Sequence, residues 1–487
     1  MLRKHLCILS LALFLGTTAA RAAEKPNFLF IYTDDQRWDA LGVVQREQGD
    51  KARFPWFQTP NLDRLAGEGV RFRNAFVVNS LCAPSRSVFL TGRYSHMNGV
   101  ANNHTPFPSE NIPTTWSALL KGAGYTTGYV GKFHHGQQPG PRPGFDYTAS
   151  FVGQGKYMDC PFEVNGAMTA TTGYVDDVST DYALEFIGKN RDKPFAVVVG
   201  YKAAHGPFQP PPRLENKYEG KEARPAPNLG VPAAYAGKFS GGGKTETKKQ
   251  DGKPKKKKVN GAEQAKTGNR TMLQGYFGCL AAVDENVGRL MARLDDLKLA
   301  ENTVVVYTSD NGYYLGEHNL GDKRSAYEES MRIPLLVRYP KLGEKARGKT
   351  VDKMALNLDL APTFLDLAGV KAADSMQGRS WRPLLEGNDT ANWRTAFFYE
   401  YFYERNYAIP TVLAVRTDTA KLIKYPGHDA WTELFDLTKD PYEIKNLVND
   451  AGSKELLAKM QAEFEKQAKA VDFRVPEFAD TVPEQAK

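Results

Sequence analysis

Three strongly apolar runs of the chain each end in a small group of polar residues, and this pattern constrains the fold most. The runs are residues 27–32, 195–201 and 303–308. Asp34 and Asp35 follow the first run, His205 follows the second, and Asp310 and Asn311 follow the third. Such runs, alternating with amphipathic stretches, are typical of buried strands in an α/β protein. Because open α/β sheets bind ligands at the carboxyl ends of their strands, we expect these polar side chains to meet at one edge.

The pattern between and after these runs predicts two structural regions. Helices are predicted at residues 59–68, 113–121, 175–189 and 274–296, and further extended segments at 70–78 and 125–130. From Arg394 onward the runs become shorter, which predicts strands at 397–402, 412–417, 422–425 and 433–437 and a helix at 454–469. We therefore expect a mixed sheet flanked by helices over residues 23–393. A smaller antiparallel sheet packed by a helix is expected over 394–487.

The first 22 residues have the features of an export signal. Arg3 and Lys4 precede an apolar run over residues 6–15, and small residues surround Arg21 where a signal peptidase would cut. No later segment reaches the roughly 18 uncharged residues that a transmembrane helix needs. We expect a soluble exported protein, periplasmic or secreted, without a transmembrane segment.

The net charge of +8 arises in two short segments. The signal segment carries +3 and residues 244–258 carry +6, so the rest of the chain sums to −1. Residues 241–260 contain eight lysines, follow three glycines and are almost without apolar residues, which predicts a disordered solvated loop. A lysine run can also bind a polyanion such as a sulfated glycan or a nucleic acid. We favour the solvated loop and expect no nucleic-acid partner.

Residues 82–92 read Cys-Ala-Pro-Ser-Arg-Ser-Val-Phe-Leu-Thr-Gly. Taken alone, a cysteine ahead of Pro84 and Arg86 is equally compatible with a buried structural thiol before a helix. The whole segment, however, resembles the signature of the type I sulfatases, which belong to the alkaline-phosphatase-like superfamily. In that family a maturing enzyme oxidises the cysteine to formylglycine. The resemblance thus implies that Cys82 is the precursor of an aldehyde, and that a formylglycine-generating enzyme is a partner.

The polar groups after the first and third runs form a candidate metal site. Taken alone, Asp34-Asp35 and Asp310-Asn311 are each compatible with a plain turn. Together they offer three carboxylates and one amide oxygen, and such all-oxygen sets bind hard divalent cations. Ca²⁺ is favoured for its tolerance of irregular geometry, with Mg²⁺ as the alternative. The resemblance implies that these four residues hold the metal next to modified Cys82.

The resemblance also assigns the remaining catalytic positions, which are Arg86, Lys132, His134, His205 and Lys323. A sulfate ester is anionic, so a site that hydrolyses it needs positive charge, an activated nucleophile and an acid. The two lysines would supply charge, His205 would protonate the leaving alcohol, and His134 would act as a base. Arg86 would hold the modified residue in place. His135 stands beside His134, so the sequence leaves open which of the two points inward.

The most specific expectation is the substrate. Segments near residues 400 and 414–417 are similar to those of N-acetylglucosamine-6-sulfatases, which favours a sulfated saccharide. Glu400, Tyr403 and His428 are the predicted sugar contacts. A phosphodiester or phosphonate monoester hydrolase of the same superfamily is the alternative enzyme, and an exported glycan-binding protein is the non-enzymatic alternative. Cys160 and Cys279 could form a disulfide or remain as two thiols.

Overall fold

A mixed sheet forms the centre of the larger part of the chain. The computed structural model describes residues 25–239, 271–388, 390–405 and 407–476. The predicted signal peptide (1–22) and lysine-rich loop (241–260) lie outside these described residues. In chain order the strands are β1 (Asn27–Thr33), β2 (Val70–Phe72), β3 (Ala75–Phe76), β4 (Thr126–Lys132), β5 (Tyr147–Phe151), β6 (Phe162–Val164), β7 (Ala167–Thr169), β8 (Phe195–Gly200), β9 (Thr303–Ser309), β10 (Leu335–Arg338), β11 (Lys349–Val351) and β12 (Ala355–Leu356).

Ten of these strands form one sheet in the order β11-β2-β10-β9-β1-β8-β4-β5-β6-β7, while β3 pairs with β12. Strands β9, β1, β8, β4 and β5 run parallel to one another. Every residue of β1, β8 and β9 is buried, as expected for parallel strands covered on both faces. The predicted strands at 27–32, 125–130, 195–201 and 303–308 are thus confirmed, and their carboxyl ends lie side by side.

Helices cover both faces of the sheet. They are α1 (Gly42–Gln48), α2 (Pro60–Glu68), α3 (Cys82–Thr91), α4 (Ser95–Asn98), α5 (Trp116–Gly122), α6 (Val175–Lys189), α7 (Met272–Asp296), α8 (Glu328–Met331), α9 (Leu360–Leu367) and α10 (Arg382–Glu386). Alternate residues of β1 point into two separate apolar clusters, Phe28 into one and Leu29 into the other. Helices α3, α5 and α9 pack in the first cluster, and α2, α6 and α7 pack in the second. No helix in the described ranges is long and apolar enough to cross a bilayer.

The C-terminal part is a four-stranded antiparallel sheet packed by one helix, as predicted. Its strands are β13 (Ala396–Tyr401), β14 (Val412–Thr417), β15 (Ala420–Lys424) and β16 (Glu433–Asp436), followed by α11 (Lys454–Ala470). Met460 and Phe464 are the buried residues of α11, and the Phe464 ring lies 5.4 Å from that of Phe398 in β13. Glu400 donates its backbone N–H to the carbonyl of Val78 at 2.9 Å, so β13 also contacts the larger part of the chain.

Three expectations differ from the structure. The extended segment predicted at 70–78 is divided, because β2 pairs with β10 and β11 whereas β3 pairs with β12. The helix predicted at 113–121 begins only at Trp116, because Thr115 caps it by accepting from the N–H of Ala118 at 3.3 Å. Cys160 and Cys279 are both buried and are not joined to each other, so the disulfide alternative is wrong.

His96 in α4 connects the larger part of the chain to the C-terminal part through hydrogen bonds. Its side chain is only 2% exposed. Its Nδ1 lies 2.6 Å from Oε2 of Glu400, and its Nε2 lies 3.1 Å from the carbonyl oxygen of Val471. Both neighbours only accept hydrogen bonds, so both are satisfied only by a doubly protonated ring. Burial acts to lower the pKa of His96, but the hydrogen bond and charge of Glu400 outweigh it and raise the pKa.

This contact predicts a pH-dependent stability. Because the pKa of His96 is raised above its unfolded value of about 6.5, its contribution is fully present below that pH and is lost as pH rises through the folded-state pKa. We expect His96→Gln to lower the free energy of unfolding by about 3 kcal/mol at pH 5.5, since the change leaves Glu400 buried without a cation. Unfolding curves should show this difference narrowing toward pH 9. His104→Gln, at an exposed histidine, is the control; a difference that does not depend on pH would contradict the interpretation.

Candidate active site

The polar groups after the parallel strands meet at one edge of the sheet, as the sequence predicts. Backbone hydrogen bonds join the loops there: Asp34 donates to Ala203 at 2.9 Å and Asp310 donates to Thr33 at 3.0 Å. Asp35 has a positive φ of 66°, in the left-handed region that aspartate tolerates better than most residues. The chain therefore turns directly after β1, and the two adjacent carboxylates point toward the loop that follows β9.

Asp34, Asp35 and Asp310 bring three carboxylates together in the interior. Each side chain is buried, and their ligand oxygens lie within 4.8 Å of one another. Burial, with the neighbouring carboxylates, raises the pKa of Asp310 to about 6 and that of Asp35 to about 7. Burial also acts to raise the pKa of Asp34, but the positive charge of Lys132 outweighs it, and the pKa is held well below its ordinary value. Burial among like charges therefore opposes the ionisation of Asp35 and Asp310.

Asn311 completes an oxygen cage suited to a divalent cation. Its Nδ2 donates to Oδ1 of Asp35 at 2.6 Å, while its Oδ1 is buried and has no hydrogen-bond partner among the described residues. A buried carbonyl oxygen without a partner is costly, and a cation bound between it and the three carboxylates would satisfy it. The residues therefore fit the metal that the sequence predicts, with ligand oxygens of the kind that Ca²⁺ takes.

Cys82 is the first residue of α3 and lies against this cage. Its Sγ is 3.4 Å from Oδ1 of Asp34, and the side chain is fully buried. Burial, with the negative charge of Asp34, raises the pKa of the thiol to about 12. Such a thiol stays protonated at neutral pH, and a protonated thiol is a poor nucleophile. Cys82 thus lies beside the carboxylate cage, and its environment disfavours thiolate chemistry.

Arg86 follows Cys82 by one helical turn, so α3 presents both side chains to the cage. Its guanidinium donates to Oδ2 of Asp310 at 2.7 and 2.9 Å, to Oδ2 of Asp34 at 2.8 Å, and to the carbonyl oxygen of Lys132 at 3.1 Å. The predicted role was to hold the modified cysteine. In the structure Arg86 contacts two carboxylates of the cage beside Cys82, and its role toward the modified residue stays a prediction.

The two predicted lysines reach the cage from opposite sides. Nζ of Lys132, at the end of β4, contacts Oδ2 of Asp34. Nζ of Lys323 lies 2.6 Å from Oδ1 of Asp35 and 3.7 Å from Oδ1 of Asp34. Both lysines are buried. With Arg86 they match the three carboxylates charge for charge.

His134, rather than His135, faces the cage. Burial, with the charges of Lys132 and Arg86, lowers the pKa of His134 well below its ordinary value. His135 is directed elsewhere: its Nε2 pairs with Oγ of Ser87 at 2.8 Å and its ring packs on Phe133. Of the two, His134 is the one that Gln154 connects to Lys132 and the cage, and its role as a base stays a prediction.

His205 is part of the same cluster. One of its ring nitrogens lies within 4.8 Å of Sγ of Cys82 and a carboxylate oxygen of Asp34. Its Nδ1 lies 2.8 Å from the carbonyl oxygen of Gly206. Because a carbonyl only accepts, the ring proton is on Nδ1 and Nε2 is free to face a ligand. Burial, with the charge of Lys132, lowers the pKa of His205 well below its ordinary value.

Two of the three predicted sugar contacts are turned inward. Glu400 is fully buried and is bound to His96, and Tyr403 is 1% exposed and donates its hydroxyl to the carbonyl of Arg405 at 3.2 Å. Burial therefore argues against both as sugar contacts, because Glu400 in β13 and Tyr403, two residues beyond the strand, are turned into the core. His428 is half-buried, and its ring stacks 3.8 Å from that of Trp431.

The sequence analysis did not identify two residues that lie near the cage. Gln154 contacts Lys132 and His134, and Lys202 donates from Nζ to the carbonyl oxygen of Gln154 at 2.9 Å. Gln154 stands in a loop after β5 that no motif marks. Lys202 precedes His205 by three residues, and that proximity was the one available clue to its role.

Comparison with known proteins identifies the family. The sulfatase family model matches residues 26–370, and the model of the C-terminal region of N-sulphoglucosamine sulphohydrolase matches residues 316–470. The chain is 33% identical to N-acetylglucosamine-6-O-sulfatase of Bacteroides thetaiotaomicron, over 94% of this chain and 89% of that protein.

Solved structures agree with the sequence comparison. A structure described as a complex with its substrate D-glucosamine-2-N,6-O-disulfate has a TM-score of 0.78 and 29% identity, covering 94% of this chain and 100% of the other. Phosphonate monoester hydrolase of Agrobacterium radiobacter has a TM-score of 0.71 at 20% identity, covering 92% of this chain and 96% of the other, and so shows the fold alone. Because the family match spans most of the chain and the charged groups meet at one site, the chain belongs to the sulfatase family and hydrolyses sulfate esters.

Proposed function

We propose that the protein removes the 6-O-sulfate of a glucosamine or N-acetylglucosamine unit in a sulfated saccharide, and that it acts as an exported enzyme. The observation that carries the catalytic part is the position of Cys82, 3.4 Å from Asp34 in a buried cage of three carboxylates. The sugar is supported by the names of the related sulfatase and of the bound substrate in the similar structure. Export is supported by the signal-like first 22 residues.

Two groups complete the proposed site. Asp34, Asp35, Asp310 and Asn311 would hold Ca²⁺, and formylglycine made from Cys82 by a maturing enzyme would supply the attacking oxygen. The described cage balances three carboxylates with three cationic side chains. A divalent cation would therefore leave the site with net positive charge, which attracts an anionic ester and stabilises charge developing in the transition state.

The protein's own side chains then have distinct tasks. Lys132 and Lys323 bind the sulfate oxygens with their ammonium groups. His205 donates a proton from Nε2 to the departing sugar oxygen, since the anionic ester favours the doubly protonated ring against the effect of burial. His134 accepts a proton at Nε2, and its lowered pKa keeps that lone pair available.

The sugar contacts are best sought beside Lys323, where the C-terminal part reaches the site. Nε of Arg324 lies 2.5 Å from Oε2 of Glu404, and its guanidinium lies 3.5 Å from the ring centre of Tyr407. Tyr407 is 38% exposed, so its ring can pack on the apolar face of a sugar. We propose Tyr407 in place of Glu400 and Tyr403, and keep His428 as a more distant contact.

The first test concerns the chemistry of Cys82. In protein matured by a host that modifies sulfatases, mass spectrometry of the peptide of residues 74–86 should show formylglycine at position 82. Cys82→Ala should abolish turnover and leave the melting temperature nearly unchanged, whereas Cys160→Ala should retain activity. Inactivation by a thiol reagent through residue 82, or faster turnover of an aryl phosphodiester than of an aryl sulfate, would contradict the proposal.

The second test concerns the cation. Asp310→Ala should lower kcat at least roughly 100-fold, because even outer partners of a metal contribute about 10–100-fold. Chelation should lower the melting temperature of the natural protein but not that of the variant, since the variant has already lost the ion. Asp352→Ala, at an aspartate with a 70% exposed side chain, is the control. Full activity of Asp310→Ala would remove the metal from the mechanism.

The third test concerns the sugar. Tyr407→Ala should lower kcat/KM for N-acetylglucosamine-6-sulfate about tenfold, a loss of about 1.4 kcal/mol, and leave an aryl sulfate unaffected. Sugar contacts remote from the sulfate orient it for reaction, so the loss should appear in kcat as well as KM. Tyr442→Ala provides a matched control, because Tyr442 is 37% exposed. An equal loss on both substrates would show that Tyr407 supports the fold rather than the sugar.

A further inference from the structure

Gln154 connects two of the groups that act on the ester. Its Oε1 contacts Nζ of Lys132, and its Nε2 lies 3.2 Å from Nε2 of His134. Lys132 and His134 stand on either side of Phe133 at the end of β4. One amide side chain from a separate loop therefore touches both a predicted sulfate-binding cation and the predicted base.

The chemistry of the neighbours fixes the orientation of this amide. An ammonium group has only donors, so the carbonyl oxygen of Gln154 faces Lys132. The amide NH₂ of Gln154 then faces His134, and it needs an acceptor there. A proton on Nε2 of His134 would set two donors against each other. The neutral ring is thus held with its proton on Nδ1 and its lone pair on Nε2.

The surroundings of His134 oppose any second proton on the ring. Burial and the charges of Lys132 and Arg86 all lower its pKa. Its Nδ1 is buried and has no hydrogen-bond partner in the described part of the chain. No nearby acceptor therefore selects the tautomer from the Nδ1 side, and the contact with Gln154 is the hydrogen bond that selects it.

Gln154 is itself held by a buried lysine. Nζ of Lys202 donates to the Gln154 carbonyl at 2.9 Å and lies 4.8 Å from the ring centre of Tyr157. The backbone N–H of Lys202 donates to Oδ1 of Asp176 at 2.8 Å. Lys202 is 2% exposed, so this anchor is rigid compared with a surface contact.

We propose that Gln154 is a positioning residue, which orients Lys132 and holds His134 as the neutral tautomer with its lone pair on Nε2. The proposal rests on the proposed function for the role of His134, but the hydrogen-bond state that it assigns can be measured without turnover. Lys202 takes part by fixing the Gln154 backbone.

The direct test is the tautomer of His134. Long-range ¹H–¹⁵N correlation spectra of full-length protein labelled with ¹⁵N-histidine report which ring nitrogen carries the proton, and His134→Gln assigns the signal. We expect Nδ1–H in the natural protein. In Gln154→Glu the carboxylate accepts from Nε2, so the proton should move to Nε2 or the ring should become doubly protonated. The matched control is Gln138→Glu, because Gln138 is also half-buried but its Oε1 accepts from Phe107.

Kinetics provide the second readout. Gln154→Leu has nearly the same volume and cannot select a tautomer, so kcat should fall at least roughly tenfold, within the 10²–10⁴-fold that acid–base catalysis contributes. KM should rise less, because Lys132 still contacts Asp34. Lys202→Met should cause a smaller loss in kcat, and Lys202→Arg should restore part of it.

The outcomes separate this proposal from the proposed function. A His134 signal that shows Nε2–H in the natural protein, or that does not change in Gln154→Glu, would overturn the positioning role even if the enzyme is an active sulfatase. A correct tautomer in a protein that turns over no sulfated sugar would leave the positioning role intact and count against the substrate. Melting temperatures near that of the natural protein should accompany each Gln154 variant, since the change lies in a half-buried loop.

Discussion

Arg86 provides the charge around which the site is arranged. Its guanidinium joins Asp34 and Asp310, which come from the loops after two different strands, and all three groups are buried. A buried carboxylate without a cation is strongly destabilising, so these loops can meet only where such a partner exists. Lys132 and Lys323 complete the balance. The cage thus folds around three carboxylates and three cationic side chains, and the proposed divalent cation would add the positive charge that an anionic ester requires.

The C-terminal part contacts the larger part of the chain through two acidic residues. Glu400 of β13 pairs with the buried side chain of His96 in α4 and so joins the C-terminal part to the larger one. Four residues later Glu404 meets Arg324, the neighbour of Lys323. One short segment therefore has both a structural task and a position next to the sulfate site. β13 ends at Tyr401, so the chain leaves the strand between these two residues and Glu404 can face different surroundings.

Strands that are buried on both faces could be predicted from the sequence, whereas very short strands could not. β1, β8 and β9 were recognised because strands covered on both faces are apolar throughout. β10 to β12 were missed, since strands of two to four residues show too little pattern. The candidate metal ligands Asp34, Asp35, Asp310 and Asn311 could be predicted from the sequence, because each pair directly follows a recognisable strand.

The sequence by itself determined which functional groups are available. These are the carboxylates at strand ends, the cysteine motif at the start of α3, and the lysines and histidines in segments that resemble those of sulfatases. Only the tertiary structure decided which groups face one another. It placed His134 rather than His135 toward the cage, turned Glu400 and Tyr403 into the core, and brought Gln154 between Lys132 and His134. The physical reason is that hydrogen-bond partners and burial are set by residues far apart in the chain, which no local pattern records.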